Sequence, residues 1–531
     1  MLVEGSVDDK QFMMDVENKS AASKQSPLTQ ATRLFLLLLA VASMVGLIIY
    51  IVFTFRKGPV FVKEMATGTW LCSMNLFFAL QAHLAGRLHF AGRCSKHYVT
   101  GAYVIIVPAS FAIFVGYAMS GNHDGWVWGL LLFIVTLLGL LEMIQQLRGG
   151  AAPPESRPRS KLGCCLSGYN LVNLFVGTFL VCLLANGAVS EGTAQKGMPL
   201  RGSFASFVNP QGKTQKVAFN CEGPSGKPVY IIDADESHGL ADFWPLQRNM
   251  TASGRRSCIF DKLGLGNSDF LYADQAMDHS VYYEALFDAI GEKGPYGFIC
   301  WGGGGKIIWN YALLHPEKVR SIVLLDSFGE NVEARLLRSQ VDPVLSPAEI
   351  QQRREWDIIG RQVLFTVLRG LAIPWGLGQI FFGQDPGGYA YPERWDEYKR
   401  YYTVGKTWTT QYFTLMANAQ QGYFSTMDVD DWGTWNNTVP AQLVGKPMMA
   451  VYTNKSETEW NECNGNDDQI GSAKCRNKQA GYRVLKAETM FLATLTRNAS
   501  YYGCNDPKCD LGFPLRFPNV VVDALNFHGW Q

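Results

Sequence analysis

Five apolar stretches, each about 20 residues long, occupy the first 190 residues and constrain the fold of this chain more than any other feature. A helix of about 20 apolar residues is long enough to cross the hydrocarbon core of a bilayer. The sequence therefore predicts a five-helix transmembrane region over residues 34–190. The predicted spans are residues 34–55, 69–88, 98–119, 126–147 and 169–188.

The distribution of Lys and Arg predicts the orientation of these helices, because short basic loops stay on the cytoplasmic side during insertion. Basic residues precede the first span and follow the second and fourth, whereas Arg56, Lys57 and Lys63 argue for the opposite orientation. The polar residues 1–33 do not read as a cleaved signal and are expected to form a cytoplasmic tail. An odd number of spans then places residues 191–531 outside the cytoplasm. We expect an integral membrane protein of the secretory route, in the plasma membrane or an endomembrane.

Sequons and cysteines in the second half agree with an extracellular or lumenal domain. Chance accounts for some sequons, but the local spacing of the cysteines is typical of bridged loops. No cysteine or histidine grouping has zinc spacing, so we expect neither a metal nor a cofactor. The glycosylation candidates are Asn249, Asn436, Asn454 and Asn498, and the candidate disulfides are Cys221 with Cys258, Cys463 with Cys475, and Cys504 with Cys509.

The pattern of the chain changes after residue 227 to short runs rich in β-branched and aromatic residues, which alternate with helical stretches. This alternation is typical of a mostly parallel sheet covered by helices. We therefore expect an α/β domain over residues 191–531. The predicted strands are PVYIIDA (228–234), RRSCIFD (255–261), YGFICW (296–301), RSIVLLD (320–326), PMMAVYT (447–453) and NVVVDAL (519–525).

Two segments give this domain a specific likeness. The segments RRSCIFDKLGLGNSD (255–269) and KGPYGFICWGGGGKIIWNYALLHPEKVRSIVLLDSF (293–328) resemble the α/β-hydrolase family, in the branch with an RVCxYDRxGxGxSD-like segment and a GPYxLVGHSxGG-like elbow. The resemblance implies an α/β-hydrolase-like fold with a helical cap at about residues 330–440. The chain looks like a membrane-anchored eukaryotic member that has lost catalytic residues.

In this family the elbow exposes a nucleophile between a strand and a helix. The resemblance places that position at Gly302, which has no side chain to attack a substrate. It places a remnant base at His528 and a weak acid candidate at Glu457. The oxyanion segment is also altered, because residues 233–237 read DADES and their carboxylates would oppose a developing oxyanion. Alternatively, His238 and Gly239 still supply a turn and the carboxylates face solvent. We therefore expect no functional catalytic residue.

The consecutive glycines of the elbow have two interpretations. Backbone N–H groups at a helix N-terminus can form an anion nest, to which a nearby lysine would add positive charge. Alternatively, a strained turn relaxed once catalysis was no longer needed. The candidate nest consists of Gly302, Gly303, Gly304, Gly305 and Lys306.

The apolar part of the cap, residues 358–382, also has several interpretations. It carries charges only at Arg361 and Arg369, and Pro374 and several glycines interrupt it. It could lie at the lipid interface, cover the core or receive a partner.

Three functions fit these features. The leading hypothesis is a non-catalytic binding or structural subunit of a membrane assembly, in contact with the bilayer and with protein partners. Its residual pocket could take a lipid or a small acidic ligand.

The first alternative is a membrane-bound lipase or esterase with Ser237 or Cys300 as an unorthodox nucleophile beside His528. The second is a receptor or transport-associated protein. A net charge of +1, from 47 basic and 46 acidic residues, argues against a nucleic-acid partner.

Overall fold

A computed structural model provides the architecture of the chain. It describes residues 27–55, 65–85, 93–120, 123–148, 161–197, 202–209, 212–234, 238–269, 271, 279–327, 372–377, 441–453, 496–504, 506, 509 and 513–530, with single positions between 397 and 410 and pairs between 486 and 494. Residues 1–26 of the predicted tail (1–33), most of the predicted cap, Glu457, Cys463 and Cys475 lie outside these residues, whereas residues 27–33 belong to the first helix. The chain divides into two compact units, of which the first comprises residues 1–52, 68–118 and 123–185, and the second the remainder.

Five helices follow the five predicted spans, one for each apolar stretch. They are α1 (Pro27–Phe55), α2 (Met65–Ala85), α3 (Arg93–Ser120), α4 (His123–Arg148) and α5 (Lys161–Gly197). Three of the described helices contain a stretch that is long and apolar enough to cross a membrane, namely Tyr98–Ser120, Gly125–Gln145 and Val172–Thr193. These stretches indicate a membrane protein, and the count of five spans stays a prediction.

Polar side chains within these helices bond to neighbouring helices. The Asn75 side-chain amide donates to the Trp128 carbonyl at 3.0 Å, which joins α2 to α4. The hydroxyls of Ser110 and Thr136 lie 2.8 Å apart and join α3 to α4. Because a polar group in an apolar interior is costly unless it is bonded, these contacts indicate a packing role for Asn75.

The second unit is built on a sheet of eight strands, in the order β1-β2-β4-β3-β5-β6-β7-β8. The first two strands are antiparallel to their neighbours, and β3 to β8 run parallel. The strands are β1 (Ser203–Val208), β2 (Thr214–Glu222), β3 (Val229–Asp233), β4 (Arg256–Phe260), β5 (Tyr296–Trp301), β6 (Val319–Leu325), β7 (Pro447–Thr453) and β8 (Asn498–Cys504). The mostly parallel sheet is confirmed.

Helices cover both faces of this sheet, because successive strand residues point to opposite sides. Ile231 packs in a core with α7 and α8, whereas Ile232 packs in a second core with α6 and α11. The helices are α6 (Leu240–Ala252), α7 (Tyr283–Ile290), α8 (Gly304–Leu314) and the short or C-terminal helices α9 (Ala441–Val444), α10 (Phe513–Arg516) and α11 (Asn519–Phe527).

The last predicted strand is wrong, because NVVVDAL forms helix α11 instead. Its buried residues Val521, Val522, Ala524 and Leu525 recur at helical spacing and fill one of the two cores. The run of valines suggested a strand because β-branched residues favour strands. The eighth strand lies earlier, at NASYYGC.

Candidate functional site

The elbow lies where the family resemblance predicts it, between β5 and α8. Gly302 follows the last residue of β5 and has a φ of +55°. Its backbone N–H donates to the Leu325 carbonyl at 3.2 Å, so β6 holds the turn from one side. A non-glycine residue in this left-handed conformation is strained, and in a nucleophile elbow that strain exposes the side chain. The turn therefore keeps the elbow shape while position 302 offers no nucleophile.

Two of the neighbouring glycines have a packing explanation. A Cβ atom at Gly304 would lie 2.7 Å from the Ala234 backbone at the end of β3, and one at Gly305 would lie 2.7 Å from Ser327 Cβ. Such distances leave no room for a side chain, so both glycines are needed for close approach of α8 to the sheet. The anion nest stays a prediction, because the side chain of Lys306 is not among the described groups.

Cys300 is a free, fully buried thiol near the end of β5. Burial raises the pKa of this thiol well above its usual value, and the nearby Asp233 carboxylate raises it further. Since the thiolate is the nucleophilic form, the surroundings of Cys300 suppress its reactivity. Cys300 thus belongs to the hydrophobic core on one face of the sheet.

A buried ion pair lies at the carboxyl ends of β3 and β4, beside the elbow. Lys262 Nζ lies 2.6 Å from Asp233 Oδ1 and also donates to the Ala234 carbonyl. The Tyr283 hydroxyl donates to Asp233 Oδ2 at 2.7 Å. Asp233 belongs to the predicted oxyanion segment, but its charge is balanced by Lys262. Asp235, Glu236 and Ser237 lie outside the described residues.

A second carboxylate, Asp261, ties the loop after β4 to the start of α6 and to the cap region. Asp261 Oδ1 accepts the backbone N–H of Leu240 at 2.9 Å and the hydroxyl of Tyr401 at 2.9 Å. The Tyr401 hydroxyl in turn accepts the Ala241 N–H at 3.1 Å. Desolvation by burial and the negative charge of Asp261 raise the pKa of Tyr401 well above its usual value, so Tyr401 remains a neutral donor.

Sequence reasoning missed one carboxylate at the carboxyl end of a central strand, Asp326. It follows β6 directly, is 2% exposed and has a φ of +40°. Its Oδ1 accepts the Thr453 backbone N–H at 3.0 Å, and its own N–H donates to the Val451 carbonyl at 2.9 Å. The sequence did contain a signal for it, because Asp326 directly follows β6, and β6 is the neighbour of the elbow strand β5. Its observed contacts join β6 to β7.

His528, the predicted remnant base, lies at the C-terminal cap of α11 rather than after a strand. Its Nε2 is 3.2 Å from the Tyr501 carbonyl oxygen, and its ring packs edge-on against Phe527. Helix α11 thus precedes His528 where the sequence predicted a strand. Residues 505–512, which follow β8, read NDPKCDLG and contain no histidine.

A family model described as alpha/beta hydrolase fold matches residues 237–352, from the turn before α6 to beyond β6. The second unit has an alpha/beta hydrolase fold. The strand order and the elbow agree with this assignment. No curated protein sequence matches the chain.

The chain is similar to solved structures with which it shares low sequence identity. One is described as a probable hydrolytic enzyme from Pseudomonas aeruginosa PAO1, with 16% identity and a TM-score of 0.39 over 64% of this chain and 97% of that one. An epoxide hydrolase from metagenomes of hot environments has 17% identity and a TM-score of 0.39 over 61% and 98%. The enol-lactonase from Burkholderia xenovorans LB400 has 12% identity and a TM-score of 0.35 over 60% and 99%.

One histidine of the hydrolase-fold unit lies against the residue that precedes Gly302. The His238 ring packs on Trp301 with centroids 4.6 Å apart, and its Nδ1 is 3.4 Å from Asp242 Oδ1. Asp242 Oδ2 accepts the Gly239 N–H at 2.8 Å, which closes the first turn of α6. These contacts give His238 a packing and capping role at the start of α6.

Two disulfides of the hydrolase-fold unit form between cysteines that the sequence paired. Cys221 and Cys258 lie opposite each other on β2 and β4 and are bonded, as are Cys504 and Cys509 after β8. Glu292 lies close enough to the first pair to suggest a metal site. However, disulfide sulfurs are poor ligands and Glu292 pairs with Arg256 at 2.5 Å, so this grouping does not fit a metal.

The described sequons differ in their surroundings. Asn498 is exposed at the first residue of the edge strand β8. Asn249 is half-buried in α6, and its side-chain amide donates to Asn519 Oδ1 at 2.6 Å. Asn436 and Asn454 lie outside the described residues, and glycosylation stays a prediction at all four.

Proposed function

We propose that this protein is a non-catalytic hydrolase-fold membrane protein that acts as a binding or structural subunit of a membrane assembly. The observation that carries this proposal is Gly302, which occupies the elbow in its left-handed conformation without a side chain. An acyl-enzyme mechanism needs an attacking oxygen or sulfur at that position, activated by a base.

The surrounding groups support the loss of catalysis. Cys300 faces the interior with a raised pKa, and its backbone carbonyl accepts the Ser327 hydroxyl at 2.7 Å. His528 contacts the Tyr501 carbonyl on the edge strand. The carboxylates Asp233 and Asp261 are engaged in structural bonds. The described candidates Cys300, His528, Asp233 and Asp261 thus each make a structural contact, whereas Ser237 and Glu457 lie outside the described residues.

The membrane role rests on the apolar helices. Three described stretches are long and apolar enough to span a bilayer. Together with the distribution of Lys and Arg, they support a five-span arrangement with a cytoplasmic N-terminus and an extracytoplasmic hydrolase-fold unit. A hydrolase fold that has lost catalysis can still provide a binding surface. We propose that proteins of the same membrane bind to it.

Purification from native membranes tests the proposed subunit role. The full chain, tagged and extracted in a mild detergent after chemical cross-linking, is expected to migrate as a larger complex with a constant ratio of a few partner proteins. Migration of the chain as a monomer without partners, in each of several mild detergents, would contradict the proposed subunit role.

Ester hydrolysis by the same purified material tests the loss of catalysis. No turnover above that of detergent alone is expected with nitrophenyl esters of short or long acyl chains. Gly302→Ser is expected to remain inactive as well, because a serine at the elbow alone does not restore the altered oxyanion and acid segments. Turnover by the unmodified chain that disappears in His528→Ala would overturn the proposal.

A further inference from the structure

A short described segment of the cap region, residues 372–377, packs directly on helix α5. Both belong to the second unit, which includes α5 from residue 186 onward. A Cβ atom at Gly187 would overlap the Pro374 carbonyl oxygen and would lie 2.7 Å from the Gly376 backbone nitrogen. A Cβ atom at Gly376 would likewise overlap the side-chain amide of Asn186. Backbone therefore meets backbone here.

The position of this contact along α5 determines its depth. Gly187 lies six residues before the end of the apolar stretch Val172–Thr193 and one residue before the end of the fifth predicted span, residues 169–188. With a rise of 1.5 Å per residue, these two ends lie about 9 Å and about 1.5 Å along the helix from Gly187. The segment that contacts Gly187 consequently lies near the level at which the apolar part of α5 ends.

The chemistry of the segment suits that depth. It reads AIPWGL, with no charged residue. Ile373 and Pro374 are buried, and Trp375 is half-buried. Residues Ile373–Trp375 form a single turn of 3-10 helix. So short a helix leaves most of its backbone groups without helical partners, and such backbone is tolerated at membrane depth only where protein covers it, as Gly187 does for Pro374. Tryptophan is enriched at membrane interfaces, where its ring contacts both acyl chains and head groups.

We propose that residues 372–377 form a membrane-contact turn, in which Trp375 contacts lipid of the extracytoplasmic leaflet while Pro374 and Gly376 fasten the cap region to α5. The inference rests on the proposed membrane placement of α5 and adds a second attachment to the bilayer. Gly376 has a φ of +74° at the end of the 3-10 helix, a left-handed conformation that favours glycine at this position.

Depth-dependent quenching of a fluorescent amino acid tests the inference in the full chain, reconstituted in phosphatidylcholine vesicles. Acridonylalanine replaces one aromatic residue at a time, and nitroxide-labelled lipids or aqueous iodide serve as quenchers. Phe175, which is 65% exposed within the apolar stretch of α5, is the lipid control. Phe204, which is 48% exposed on β1, is the aqueous control.

The probe at Trp375 is expected to be quenched severalfold more by shallow nitroxide lipids than the probe at Phe204, and severalfold less by iodide. If position 375 behaves like position 204 while position 175 is quenched by lipid, the inference is overturned and the membrane placement survives. If position 175 is not quenched by lipid, the membrane placement itself fails and the inference fails with it.

A matched pair of substitutions tests the packing. Gly187→Ala forces α5 and the turn apart, and with the probe at Trp375 it is expected to increase iodide quenching severalfold. Gly101→Ala on α3 meets no atom within 4 Å and is expected to leave that quenching unchanged. Equal quenching in both variants, each with the unfolding midpoint of the parent, would contradict the contact.

Discussion

Lys262 and Asp233 form an ion pair at 2.6 Å between the ends of two adjacent parallel strands, and both side chains are almost wholly buried. The pair lies beside the elbow, since β3 is the neighbour of β5 in the sheet. Because Lys262 also donates to the Ala234 carbonyl, against which Gly304 packs, the ion pair supports the turn from below. This corner of the molecule is therefore built for rigidity.

Removal of Lys262 is expected to be strongly destabilising. Lys262→Met leaves the Asp233 carboxylate buried without its counter-charge, and breaking a buried pair in this way costs about 3–5 kcal/mol. The measurement is the thermal unfolding midpoint of the detergent-solubilised full chain. Lys318→Met is the matched control, because Lys318 pairs with Glu284 at 2.8 Å on a partly exposed surface, where such pairs contribute about 0–1 kcal/mol. Equal losses in the two variants would contradict the structural importance of the buried pair.

The two disulfides are expected to differ in their contribution to stability. Cys221–Cys258 closes a separation of 37 residues and Cys504–Cys509 one of 5. The chain-entropy relation gives about 4 kcal/mol for the longer loop and about 2 kcal/mol for the shorter. Paired Cys→Ala variants should therefore lower the unfolding midpoint more for the first bridge than for the second. The reverse order would show that loop closure does not control the effect here.

The thiol of Cys300 is expected to react slowly with iodoacetamide. Its pKa is raised, so at a given pH a smaller fraction is thiolate than in an ordinary cysteine, and the rate should rise only toward the alkaline end of a series from about pH 7 to about pH 10. Mass spectrometry of the peptide that contains Cys300 measures the rate, with detergent-denatured protein as the control. Equally fast alkylation of folded and denatured protein near neutral pH would mean that the thiol is accessible and activated.

The elbow glycines are expected to respond differently to substitution. Gly304→Ala places a methyl group 2.7 Å from the Ala234 backbone, and overpacking of this kind costs about 1–3 kcal/mol. Gly445→Ala, before β7, meets nothing within 4 Å and serves as the control. The comparison requires only unfolding midpoints of the full chain. A midpoint for Gly304→Ala equal to that of Gly445→Ala would indicate that α8 does not approach the sheet this closely.

Local sequence patterns predicted the central sheet and the elbow well. The strands β3 to β7 correspond to predicted apolar runs, because a strand buried on both faces must be apolar throughout. The elbow at Gly302 followed from its fixed spacing within the family-like segment. The antiparallel strands β1 and β2 were not predicted, since their half-exposed residues give only a weak signal.

Those local patterns could not predict contacts between residues that are far apart in the sequence. Tyr401 bonds to Asp261 across 140 residues, and Thr453 bonds to Asp326 across 127. Neither pairing has a local spacing that could reveal it. Similarly, the burial of Val521 and Leu525 on one side of α11 depends on the sheet face that receives them. The roles of Asp261 and Asp326 consequently emerge only from the tertiary structure.

Labelling with a fluorophosphonate, which reacts covalently with activated serine nucleophiles, tests the central claim most directly. The full chain in native membranes is treated with a fluorescent probe beside a hydrolase of the same fold that has an intact elbow serine, and the labelled fraction of each chain is quantified. We expect the control to be labelled in proportion to its amount and this chain to remain unlabelled, because position 302 has no hydroxyl. Stoichiometric labelling of a residue within the hydrolase-fold unit would contradict the account.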